Sequence, residues 1–198
     1  MRHLEQLLRL RLAHPRRLRM GLRDLLLIGI AYSLAIVLLA LGGVGPGMPS
    51  WLAIPTENYF TWEPLFTTPV IFLTGLLAAA VMHLLARWLG GTGSFEDTVA
   101  LIGPTTAWAT LCTLIPDAII GLLLIMGAID PAQWMAAIVR PSTTLAIIWL
   151  YLLLYVVAFA ILYPMVARLV HGLPNGKARV AGWLAFAVYQ GILFVFIR

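Results

Sequence analysis

The sequence predicts an all-α, polytopic membrane protein. Five transmembrane helices form one bundle, preceded by an N-terminal interfacial amphipathic helix. Three observations carry this. Of 198 residues, 62% are hydrophobic and 11% charged, against about 45–50% and about 25% in soluble domains. So few charges cannot cover a water-facing surface, and the mean hydropathy of +0.96 agrees. The apolar residues also collect in long runs, close to the roughly 20 residues a helix needs to cross the hydrocarbon core. Barrel strands would be about ten residues long and alternate polar with apolar; these runs are longer and apolar on all sides.

Residues 1–23 form the basic segment and residues 24–198 the membrane domain. In "MRHLEQLLRLRLAHPRRLRM", Leu4, Leu7, Leu8 and Leu12 share one helical face, and Arg2, Glu5, Gln6 and Arg9 share the other. Arg11 intrudes on the apolar side and Pro15 interrupts the pattern. This reads as a short helix with leucines in the acyl boundary and arginines among anionic headgroups. Nucleic-acid binding is not expected of a segment lying on a membrane without interleaved aromatic residues. The spans follow at about 25–41, 65–88, 99–126, 144–169 and 180–197. The first reads as a retained signal-anchor, because its basic region is too long and no clear small-x-small site follows.

Lys and Arg set the direction of the spans. Arg2, Arg9, Arg11, Arg16, Arg17, Arg19 and Arg23 precede the first span; Arg87, Arg168, Lys177 and Arg179 fall on the same side. Only Arg140 and Arg198 fall opposite. The N-terminus is therefore expected in the cytoplasm and the C-terminus outside, in a bacterial inner membrane. The loop "GGVGPGMPSWLAIPTENYFTWEP" has no Lys or Arg, and its Trp51, Tyr59, Phe60 and Trp62 read as headgroup anchors.

Little in the chain suggests catalysis. No HExxH or CxxC spacing occurs, the single cysteine excludes an internal disulfide, and no metal or cofactor is expected. Asp117 is the sharpest candidate, an ionisable residue inside a span run, where such groups are costly and often functional. Counted from Val99 it lies about 27 Å along the helix at ~1.5 Å per residue, near the outer interface. Pro116 is expected to break the helix there and restart it. Thr67, Thr68, Thr74, Gly75, Thr105, Thr106 and Thr110 suit helix–helix contacts. With Asp117, Thr67 and Thr110 also define a candidate intramembrane polar site. His83 lies near the opposite end from Asp117, with no second metal ligand in suitable spacing.

The connection "GGTGSFEDT" holds two of eight carboxylates. No GK[ST] follows it and no strand precedes it, so it is not a phosphate loop. Gly90 and Gly91 read as a helix stop. Ser94 with Asp97 reads as a capping box, with Glu96 in the first turn. Phe95 is left unexplained by this punctuation. In "GLPNGKA", Pro174 and an Asn-Gly pair with positive φ suggest a tight turn. Lys177 and Arg179 are expected near Glu96 and Asp97 if the two turns are neighbours.

"GGTGSFEDTVALIG" resembles the signature of the Yip family, the Ypt/Rab-GTPase-interacting membrane proteins and their bacterial relatives. "IIWLYLLLYVVAFAILYPMVARLVHGLPNGKARVAGWLAFAV" is similar to the family's last two spans and "HGL…GKA" turn, and "TLIPD" to the end of its third span. Pro104 and the insertion "MGAIDPAQWMAAIVRPST" depart from the pattern; the insertion reads as an outer loop or interfacial helix anchored by Trp134. The long hydrophilic N-terminal region of eukaryotic members is not matched, which points to a bacterial-type relative. The resemblance implies five spans with the N-terminus inside and no defined activity. The expected role is non-enzymatic, through contacts with lipids, a membrane-protein partner or a second copy of the chain. Its cytoplasmic face would comprise Phe95, Glu96, Asp97, His171, Lys177 and Arg179. The alternative is a small transporter or lipid-translocating protein using Asp117 and the threonine faces of spans two and three.

Overall fold

The computed structural model describes residues 2–46, 51–52, 54–55 and 58–197; residues 47–50, 53 and 56–57, among them Met48, Pro49 and Ser50, lie outside the description, as do Met1 and Arg198. Among the described residues every regular element is a helix: α1 (Arg2–Leu12), α2 (Arg17–Leu41), α3 (Tyr59–Trp88), α4 (Phe95–Ile125), α5 (Pro131–Ile138), α6 (Thr143–His171) and α7 (Asn175–Phe196). The helices α2, α3, α4, α6 and α7 are long and apolar enough to cross a membrane. The protein is an integral membrane protein.

These helices overrun the spans that hydropathy marks. A 30-residue helix such as α3 is about 45 Å long at ~1.5 Å per residue, against a hydrocarbon core of about 30 Å. Hydropathy finds only the section needing an apolar surface, while the backbone hydrogen-bond ladder continues beyond it. α2 therefore begins at Arg17, inside the basic segment, and α3 begins at Tyr59.

Five helices close a ring in the order α2, α4, α6, α7, α3 and back to α2, with α3 also touching α4 and α6. Successive spans alternate direction, so α2 and α4 are the parallel neighbours. Their backbones meet where Gly21 faces Val99, Ala100 and Gly103. A Cβ built on Gly103 would lie 2.2 Å from the Gly21 carbonyl oxygen. Without a hydrophobic drive between helices in lipid, such close approach is a main source of association. Across the ring, Phe159, Phe186 and Tyr189 fill the α6–α7 seam, with the Phe159 and Phe186 rings stacked at 5.0 Å.

Proline inside the spans is accommodated. Pro116 does not break its helix: α4 runs unbroken through both Pro104 and Pro116, as transmembrane helices allow when freed backbone groups find partners. The same chemistry is visible in α6. Pro164 has no N–H for the Ala160 carbonyl, and the Trp183 indole of α7 donates to that oxygen at 3.0 Å. Gly182 lets α7 approach there, since a Cβ would meet the Pro164 nitrogen at 2.3 Å.

The N-terminal helix differs from expectation. Its leucine face is turned into the bundle rather than into lipid: Leu8 is fully buried, and Leu4 and Leu12 pack on the same core, with Leu7 left exposed. Glu5 accepts from Arg168 of α6, and Arg11 pairs with Asp24 of α2, which accounts for a charge on the apolar side. Tyr59 and Phe60 are likewise core residues instead of headgroup anchors, Tyr59 donating to the Phe196 carbonyl at 2.7 Å. Trp51 and Trp62 remain exposed.

Candidate functional site

The two ends of the ring are built differently. At the distal end, away from α1, the helices α2, α4, α5 and α6 leave a cavity of ≈ 360 Å³. Asp117 lies in its wall. Because α4 continues past Pro116, the carboxylate projects from an intact helix between α2 and α6. Tyr32 of α2 donates to one carboxylate oxygen at 3.2 Å and Tyr151 of α6 to the other at 3.3 Å. Trp134 of α5 and Trp149 of α6 add indole surface, and Ala35, Ile36, Leu39 and Leu152 are among the apolar walls. No Lys, Arg or His is among the described residues lining it. α5 itself is the helix of the insertion, started by Asp130, whose side chain accepts from the Gln133 N–H at 2.9 Å.

The expected threonine partners of Asp117 lie elsewhere. Thr67 is buried and donates to the Glu63 carbonyl of its own helix at 2.8 Å. Thr110 is buried about two turns before Asp117 and does not line the cavity; Thr113 does. The threonines serve packing in part. Thr68 shares a hydrogen bond with Ser33 across α2–α3 at 2.8 Å, and Thr106 one with Tyr163 across α4–α6 at 3.0 Å. Thr105 instead bonds back to the Leu101 carbonyl. Sequence reasoning missed both tyrosines. Within a continuous apolar run, a phenol carries no signal that it faces an acid.

At the α1 end, the two short turns are neighbours, though not by the expected charges. Gly90, at φ +93°, ends α3, and Ser94 caps α4 by accepting from the Asp97 N–H at 3.1 Å. The Ser94 hydroxyl in turn donates to the Asp97 carboxylate at 2.7 Å. The partner of Asp97 is Arg17 of α2, not Lys177 or Arg179. Lys177 donates instead to the Leu89 carbonyl at 2.8 Å, tying the start of α7 to the end of α3. Glu96 and Arg179 are exposed, and Arg179 lines an α6–α7 groove with Arg168. The Asn-Gly pair does not supply positive φ. That conformation belongs to Gly172, at +66°, while Asn175 and Gly176 open α7.

His171 connects these turns. Its carbonyl accepts from the Thr92 N–H at 3.2 Å, and its Nε2 lies 3.0 Å from the Thr98 hydroxyl. Its ring stands 5.4 Å from that of His83, and His83 stands 5.9 Å from Phe95. Phe95 is thereby explained as the edge of an aromatic seam joining α3, α4 and α6. The second histidine beside His83 was invisible in the sequence because 88 positions separate the pair. Among the described residues no group of three or more His, Cys, Asp or Glu side chains is placed to hold a metal.

A family model described as the Yip1 domain matches residues 12–197. No curated protein and no solved structure matches the chain.

Proposed function

The chain belongs to the Yip1 domain family, and from that premise we propose that it is a non-enzymatic membrane protein that binds lipid or a similar amphipathic molecule in its distal cavity. The observation carrying this reading is the Asp117–Tyr32–Tyr151 group set in an otherwise apolar cavity between spans. Binding sites commonly combine apolar walls of about 300–1,000 Å³ with a few polar groups that fix orientation; the ≈ 360 Å³ here falls in that range.

The basic residues support a bacterial inner-membrane orientation with the N-terminus in the cytoplasm. Arg16, Arg19 and Arg23 line an exposed cleft with His14 and Met20, suited to anionic headgroups at that surface. The surface comprising Phe95, Glu96, Lys177 and Arg179 is proposed as the face for a membrane-protein partner or a second copy.

Filling the cavity tests the central claim. Ala35 is buried in its wall, so Ala35→Phe places a ring where the ligand would lie. Native mass spectrometry of the protein in mild detergent should show lipid adducts on the wild type and their loss from the variant, with the thermal transition retained. An identical adduct pattern in a folded variant would sink the reading.

A further inference from the structure

We propose that the distal cavity is selective for an alkylammonium amphiphile, whose cationic nitrogen sits against Asp117 and whose tail lies along the apolar walls. This rests on the lipid-binding reading and specifies its chemistry. Asp117 is the sole acid among the described residues lining the cavity, and no cation there neutralises it. A carboxylate has about four lone-pair sites. The two phenols occupy one position on each oxygen, at 3.2 and 3.3 Å, leaving capacity for a further donor.

Those phenols also fix the plane of the carboxylate, so the acceptor is oriented before a ligand arrives. The surroundings favour the same charge. The rings of Tyr32, Tyr151, Trp134 and Trp149 line the cavity, and the π-faces of such rings attract ammonium groups. A sulfate or phosphate head would meet the carboxylate with no basic partner among the described residues of the lining. Trp149 is 63% exposed, so one wall reaches the outer surface of the bundle, from which a tail can enter. The ammonium can belong to an aminophospholipid or to a single-chain amine; the cavity chemistry is common to both.

Three twelve-carbon probes separate head from tail: dodecylammonium, dodecanol and dodecyl sulfate, titrated calorimetrically into the full chain in a sugar-headgroup detergent. Dodecylammonium should bind roughly tenfold or more tighter than dodecanol, as a charge-assisted hydrogen bond allows, and dodecyl sulfate weakest. Asp117→Asn should erase the preference while leaving dodecanol affinity unchanged. Where that variant is not recovered folded, Asp117→Glu takes its place and should alter dodecylammonium affinity alone. Tyr151→Phe, which keeps the charge but frees one oxygen, should reduce the preference in part.

Equal affinity for dodecyl sulfate, or a preference that survives Asp117→Asn, overturns the proposal. Dodecanol binding as tightly as dodecylammonium removes the ammonium assignment and leaves the lipid-binding reading standing. Failure of all three probes to bind removes both. Displacement of dodecylammonium by phosphatidylethanolamine identifies a bilayer lipid as the source, and resistance to it identifies a single-chain amine. Equal displacement by phosphatidylglycerol counts against the proposal.

Discussion

The α1 end and the distal end of the same five helices solve opposite problems. At the α1 end, charges are numerous and those nearest the bundle are paired within the protein: Arg17 with Asp97, Arg168 with Glu5, Arg11 with Asp24. Short turns, helix caps and the Lys177–Leu89 and Thr92–His171 hydrogen bonds close the ring. At the distal end the connections are longer, the described residues lining the cavity include one acid and no base, and a cavity remains. The comparison separates where polar groups close the bundle from where one lines a cavity. Nearest the bundle, the α1 end ties its charges to one another; the distal end sets Asp117, held by two phenols, in a cavity wall.

Substitutions that separate the two ends should differ in kind. The largest effect is expected at the α2–α4 crossing, where backbone meets backbone and no flexible side chain can yield. Gly103→Val should cost about 3 kcal/mol, near the upper end of ordinary overpacking, and show as a steep fall in monodisperse yield and melting temperature. A near-wild-type melting curve would mean the crossing is looser than its geometry implies. Next comes Asp97→Ala, which removes the Arg17 ion pair and the Ser94 hydroxyl contact together. A global loss of about 1 kcal/mol is expected for such a partly exposed pair. The charge-exchanged double variant Arg17→Asp with Asp97→Arg should recover part of it. Lys177→Glu with Asp97→Lys should not, because those residues do not meet.

The smallest effect sharpens the contrast most. Asp130→Ala removes an N-cap at the distal end, as Ser94→Ala would at the other, and caps of this type contribute about 1 kcal/mol locally. α5 is a short helix without buried residues, so its fraying should be uncoupled from the ring. Hydrogen exchange should rise around Gln133 while the global melting temperature stays unchanged. A drop in global stability would place α5 within the cooperative unit and weaken the division between a rigid end and an open one.

Much of the fold was legible because a bilayer reads sequence in one dimension. Apolar runs gave the number of spans, and local signals at Gly90 and Ser94 gave a helix stop and a helix start, since each acts within a few residues. Pro116 misled because local rules treat proline as a break, whereas a neighbouring helix can accept the consequence. The Asn-Gly pair misled similarly: the left-handed residue was the earlier Gly172. The candidate site was half legible. Asp117 announced itself by the cost of an acid in a span, but Tyr32 and Tyr151 did not.

What the sequence by itself determined is therefore depth: which segments cross, where charge accumulates, and which lone acid lies among apolar residues. What only the tertiary structure decided is azimuth. A transmembrane helix is apolar on its lipid face and on its protein face alike, so hydrophobicity does not say which side of α2 or α6 turns inward. That rotation is set by close backbone packing, Gly21 against Gly103 and Gly182 against Pro164. With the helices so placed, two phenols face one carboxylate, His83 stands beside His171, and leucines of α1 pack on the bundle.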